Sequence, residues 1–146
     1  MPYVETSIIV NGAKERAYDI AKQMEEYPRF MENVKEVIVV ERDGDSTITS
    51  WVTNVDGRTI KWKEKDIFDE VNKNISYQQT EGDLKKFEGE WRFEEVPEGT
   101  KITLTVDFEF GIPIIAGLLN PILKKKTKSN CEAMLSGIKD QVEQSA

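Results

Sequence analysis

The sequence predicts an α+β fold: a seven-stranded antiparallel sheet with a long C-terminal helix on its apolar face and two short helices after the first strand. Three observations predict it. From Val34 onward, apolar and polar residues alternate with a period of two, broken at short intervals by the turn sequences "RDGD" (42–45), "VDGR" (55–58), "EGD" (81–83) and "PEGT" (97–100). After Gly111 and Pro113 the period changes. Leu119, Ile122, Leu123, Thr127, Cys131, Met134, Leu135, Ile138 and Val142 recur at spacings of three and four, which makes a helix to about residue 143. Finally, 146 residues with 38% hydrophobic and 32% charged content suit one soluble domain, 1–146, with a real core.

The elements follow in order. "IIVNGAKERAYDIAKQM" reads as a strand, then Asn11 as a helix N-cap, then a helix with Ala17, Ile20, Ala21 and Met24 on one face. "EEYPRFMEN" suits a second short helix with Pro28 in its first turn. Six strands are expected near 34–42, 46–55, 59–69, 73–81, 85–95 and 101–110. In "FEGEWRFEE", Phe87, Gly89, Trp91 and Phe93 face one way and Glu88, Glu90, Arg92 and Glu94 the other. In "KITLTVDFEF", Ile102, Leu104, Val106, Phe108 and Phe110 make one apolar face. A sheet apolar on one side needs a cover, and the C-terminal helix is the one element long enough to supply it.

Absent residues exclude whole chemistries. There is no histidine, so the commonest general base and metal ligand are missing. Cys131 is the sole cysteine, which rules out an intrachain disulfide and cysteine-based clusters. No metal-loop spacing is present, and no cofactor is expected. A net charge of −7 does not favour DNA or anionic membranes. The N-terminus "MPYVETSIIV" lacks a signal peptide's features, and "GIPIIAGLL" is too short to span a bilayer, so a cytoplasmic location without stable membrane insertion is expected.

The strand "TIKWKEKDIFD" (59–69) poses the main question. Alternation puts Lys61, Lys63 and Lys65 on one face, and Ile60, Trp62, Glu64, Asp66 and Phe68 on the other. Two acids therefore lie on the apolar side. They are either solvated or lysine-paired at a cavity mouth, or a functional pair acting as acid/base or as an anchor for a hydroxyl, amine or cation. A one-residue bulge that turns the lysines inward is the third alternative.

"YPRFMENVKEVIVVERDGD", "GDLKKFEGEWRFEEVPEGTKITLTVDFEF" and "KSNCEAML" resemble the polyketide cyclase/dehydrase and coenzyme Q-binding branch of the START-like superfamily. The resemblance covers nearly the whole chain and is most specific from Glu81 to Phe110. It implies the helix-grip fold, in which a curved seven-stranded sheet wraps round the C-terminal helix with a hydrophobic ligand between them. Trp62 keeps an aromatic position of that family's aromatase/cyclases. Glu64 stands at a serine position, Asp66 at an arginine position, and Val34 at a tyrosine position.

The resemblance turns Trp51, Trp62, Phe68, Tyr77, Phe87, Trp91, Phe108, Phe110 and Asn130 into candidate ligand contacts, against the alternative that they are ordinary core. Gln79 is a further polar candidate beside Tyr77. Two functions are expected to compete. One is binding or transport of a hydrophobic, aromatic, polyketide- or isoprenoid-like molecule. The other is a polyketide aromatase/cyclase of dehydratase type that uses Glu64 and Asp66 as its catalytic carboxylates. A ribosome or RNA partner would need a basic stripe, and the concentrated one is Lys124–Lys128. "GIPIIAGLLNPILKKKTK" is either a flap that contacts a membrane or partner, or a helix start packed on the sheet with a solvated basic turn.

Overall fold

The structure, a computed structural model, describes residues 3–55, 57–82, 84–109 and 113–144; the side chains of residues 55, 58, 113–121 and 123 lie outside that description. The elements are β1 (Tyr3–Val10), α1 (Lys14–Lys22), a 3₁₀ helix (Met24–Arg29), β2 (Val34–Asp43), β3 (Ser46–Val55), β4 (Arg58–Asp69), β5 (Asn74–Gly82), β6 (Lys86–Val96), β7 (Gly99–Glu109) and α2 (Pro113–Gln144). The strands form one antiparallel sheet in the order β1-β7-β6-β5-β4-β3-β2. Hairpins join β2 through β7 in sequence, so each strand lies beside its predecessor. The chain crosses once from one sheet edge to the other, between β1 and β2, and α1 with the 3₁₀ helix makes that crossing. The sheet is open and curved, and α2 lies in its concavity, closest to β1 and α1. This is the helix-grip arrangement.

The period-two and period-3.6 patterns bury as written. Trp91 and Phe93 of β6 and Ile102, Leu104, Val106 and Phe108 of β7 meet Cys131, Leu135, Ile138 and Val142 of α2 in one core. The edge strand β2 departs from strict alternation. Its pairing with β3 shifts register between Val34 and Glu36 and again between Val39 and Glu41, which leaves Ile38 and Val40 outside.

Three local expectations need correction. The N-cap of α1 is Ala13, not Asn11; the Asn11 backbone N–H instead donates to Glu143 at 2.9 Å, tying the end of β1 to the end of α2. The second helix is a 3₁₀ helix ending at Arg29, with Pro28 in its last turn rather than its first. Tight i→i+3 bonding accommodates the ring there, and Phe30 and Met31 close the turn on the Tyr27 carbonyl. Ile122 is 51% exposed despite its place in the helical repeat. Phe110, Leu119 and Leu123 lie outside the described residues or side chains.

Candidate functional site

Adjacent strands β3 and β4 build the site's polar floor. Their register sets Thr47 opposite Asp66, Thr49 opposite Glu64 and Trp51 opposite Trp62. All six side chains point to the concave side and are buried, Glu64 at 2% exposure and Asp66 at 0%. Asp66 Oδ2 accepts from Thr49 at 2.6 Å and from Thr47 at 3.2 Å. Thr49 Oγ1 in turn accepts from the Trp51 indole N–H at 2.8 Å. Glu64 Oε1 accepts from the Trp62 indole N–H at 2.7 Å.

Asp66 Oδ1 receives no N–H or hydroxyl group. The Glu64 carboxyl lies beside Asp66 on the same face of β4, close enough for each acid to act on the other's ionisation. Burial, then the Asp66 charge, pushes Glu64 well above the usual carboxylate range; burial also raises Asp66, held back by its bonds to Glu64, Thr49 and Thr47. No cation figures among the groups acting on either acid. Both shifts favour the protonated form, so this buried pair resists carrying two charges. The acids are neither at a hydrated mouth nor paired with lysine. β4 does carry an irregularity, against β5 between Lys63 and Glu64, but it leaves the acids inward and Lys61 and Lys65 exposed.

Aromatic rings rise from this floor. Trp51 and Trp62 stack at 5.4 Å with 9° between their planes, and Phe87 leans on Trp62 at 4.8 Å. Tyr77 joins Phe87 at 5.6 Å. Behind Trp51, the fully buried Tyr27 contacts both Trp51 and Trp91. Between these rings and α2 lies a cleft with about 60 Å³ of free space, walled by Trp51, Trp62, Phe87 and Trp91 on the sheet side and Asn130, Cys131 and Met134 on the helix side; Glu64 reaches its floor. A cavity of about 150 Å³ houses benzene, so lining side chains must shift to admit a ring. A more open groove of about 410 Å³ crosses the outer face of the sheet past Lys65, Gln78, Glu88 and Glu90, with no contribution from the acid pair.

Of the predicted contacts, Trp51, Trp62, Tyr77, Phe87, Trp91 and Asn130 converge on the cleft. Phe68 does not line it; its ring lies under Lys22 at 5.4 Å, near α1. Phe108 is buried in the core at 1% exposure and is not among the cleft's lining residues. Phe110 lies outside the described residues. Tyr77 offers a ring, but its hydroxyl donates to the Thr105 carbonyl at 2.6 Å. That bond passes over Gly89, where a Cβ would sit 2.0 Å from the same carbonyl oxygen, so only glycine fits beneath it. Gln79 turns its amide N–H to the Leu84 carbonyl at 2.6 Å. Asn130 accepts from Asn33, which leaves it both bonded and facing the cleft. Burial pushes the Cys131 thiol up to about 12, so it is a wall and not a nucleophile.

Sequence reading missed Tyr27 and the role of Thr47 and Thr49. The threonines' place on the Trp51 face was visible, but only the β3–β4 register delivers them to Asp66. Tyr27 carries no sequence signal for its position, because the crossing between sheet edges sets it.

A curved sheet gripping one helix over an aromatic cleft defines a START-like, helix-grip protein. The sequence pattern of the family described as "Polyketide cyclase / dehydrase and lipid transport" matches residues 10–135, and the chain belongs to that family. Among solved structures, TTHA0849 from Thermus thermophilus is 32% identical with a TM-score of 0.94, over 99% of each chain. The Zhui aromatase/cyclase from Streptomyces sp. R1128 is 18% identical with a TM-score of 0.88, over 97% of this chain and 93% of that one. A START superfamily protein from Mycobacterium smegmatis is 19% identical with a TM-score of 0.84, over 99% of each chain. At those identities the last two share the fold alone.

Proposed function

We propose that residues 1–146 act as one ligand-binding domain that takes up a hydrophobic, ring-containing small molecule between the sheet and α2. The observation that carries this reading is the continuous wall of Trp51, Trp62, Phe87 and Trp91 facing the cleft. Such rings present flat apolar area at little entropic cost. No helix among the described residues is long and apolar enough to cross a membrane. Lys124, Lys125 and Lys128 are exposed on α2, which fits a solvated basic turn; the preceding apolar side chains, 113–121 and 123, lie outside the description.

One observation favours a second reading, a cyclase or dehydratase: Glu64 lines an aromatic cleft, where burial pushes its carboxyl well above the usual carboxylate range, the setting of a general acid. Against it, Tyr77's hydroxyl is committed to the backbone, and the arginine and tyrosine positions implied by resemblance hold Asp66 and Val34.

The test is calorimetric titration with toluene and 2-methylnaphthalene, uncharged ring probes. One-to-one binding is expected, and Trp62→Ala should weaken it about tenfold, near 1.4 kcal/mol, while unfolding stays cooperative. Absence of saturable binding, or equal affinity in the variant, refutes the cleft as the site. Turnover of a poly-β-ketone substrate that Glu64→Gln abolishes would install the enzyme reading instead.

A further inference from the structure

We infer that the ligand's polar end is a protonated amine, attached to the hydrophobic body and seated on the Glu64–Asp66 pair. The inference rests on the cleft being the ligand site and deepens that reading by assigning a charge class. It starts from a count of donors and acceptors on the cleft floor. Every N–H and O–H identified beside the acids is already committed. Trp62 donates to Glu64, Thr47 and Thr49 donate to Asp66, Trp51 donates to Thr49, and Tyr77 donates to Thr105. A ligand carbonyl or carboxylate seated on the pair would find none of these donors free; the cleft's other side-chain N–H and O–H groups are those of Thr53, Thr127 and Asn130.

Acceptor capacity is in surplus. Two carboxylates offer about eight lone-pair sites. The identified donors fill three of them, two on Asp66 Oδ2 and one on Glu64 Oε1, and Asp66 Oδ1 receives none. Glu64, which lines the cleft, carries lone pairs that only an incoming donor can use.

Charge points the same way. Two carboxyls lie side by side under near-complete burial, and among the described residues no lysine or arginine is hydrogen-bonded or ion-paired to either. The other titratable groups facing it are Tyr27 from the 3₁₀ helix, Tyr77 from β5 and Cys131 from α2. Burial holds all three neutral, so none compensates. An uncompensated buried charge is costly, and a cation brought by the ligand removes that cost. An ammonium also lets both acids ionise. Binding then releases to solvent the proton that otherwise keeps the pair from carrying two charges, and the site's net charge is unchanged.

The experiment uses four compounds on one benzyl skeleton: toluene, benzyl alcohol, benzylamine and benzoate. Each is titrated calorimetrically at neutral pH in two buffers of different ionisation enthalpy. Benzylamine is expected to bind at least about tenfold more tightly than toluene or benzyl alcohol, with benzoate weakest. Its binding heat alone should depend on the buffer, reporting proton release. Glu64→Gln keeps the side chain's shape; it should abolish the proton release and cut the advantage of benzylamine over toluene, both measured on the variant, to about threefold or less. The wild-type series decides the matter even if that variant folds poorly. Toluene binding with no gain for benzylamine overturns the amine assignment and leaves the hydrophobic site standing. Benzoate binding best, or a benzylamine advantage that survives in Glu64→Gln, also overturns it. Failure of all four to bind removes the ligand site itself.

Discussion

Glu64→Gln should make the protein more stable at pH 8 and have little effect at pH 5. Glu64 and Asp66 lie side by side on β4, buried at 2% and 0% exposure. Unfolded, the two acids titrate near 4.5 and 3.8. Folded, burial raises both, and the Asp66 charge raises Glu64 further. A raised folded value stabilises fully below the unfolded one, and that stability drains away as pH climbs to the folded value. Between them, each pH unit removes about 1.4 kcal/mol per retained proton. From pH 5 to pH 8 the ceiling for one proton is thus about 4 kcal/mol. The glutamine has no proton to lose. Its amide oxygen can accept from Trp62, and its N–H can donate to Asp66 Oδ1, the oxygen that otherwise lacks an N–H or hydroxyl donor. The assay is urea unfolding of both proteins at pH 5, 6, 7 and 8, comparing free energies at each pH. Exposed acids with lowered values, such as Glu70 and Glu143, are common to both and cancel. The wild type should fall steadily behind the variant. Parallel stability profiles would refute the desolvated pair.

Two further outcomes test the scaffold around the site. Tyr77→Phe strands the buried Thr105 carbonyl and should cost about 1–3 kcal/mol in urea unfolding, equally at pH 5 and pH 8; a loss that varies with pH would place that hydroxyl in the acid network instead. Cys131, buried with its thiol pushed up to about 12, should resist maleimide at pH 8 in the native protein and react fully once unfolded; rapid native labelling would mean the helix side of the cleft opens freely.

Much of the fold was legible because its rules are local. Turn residues at 42–45, 55–58, 81–83 and 97–100 set hairpins of consecutive strands, and the change from period two to period 3.6 after Pro113 marked the helix. What alternation could not supply was depth. It placed Glu64, Asp66, Phe68 and Trp62 on one face, yet Trp62 and Glu64 line the cleft while Phe68, nearer the end of β4, lies by α1 under Lys22. Position along a strand relative to α2 decides this, and that is a tertiary fact. The acid pair was visible as an anomaly, but its environment was not. Only the β3–β4 register shows two threonines on Asp66 and an indole on Glu64 in place of water or lysine. The cap failed at Asn11 because α1 begins only at Lys14, with Ala13 in the N-cap position.

The acid pair also bears on why the site takes this form. Two buried carboxyls without a cation are a costly way to fill a core, and an apolar or amide pair of similar size would stabilise the fold more. Thr47, Thr49, Trp51 and Trp62 all commit their polar atoms to this one cluster. The same bonds fix the two indoles as a near-parallel stack at the cleft wall. Chemistry and shape are therefore coupled: the groups that hold the charge orient the rings. A ligand that neutralises the pair would relieve the repulsion between the acids without disturbing the stack, whereas an anionic ligand would add to it. On that argument affinity and protein stability should rise together for cationic ring compounds. A cationic ring compound that bound tightly yet left the wild type's deficit against Glu64→Gln at pH 8 unchanged would show that it seats away from Glu64.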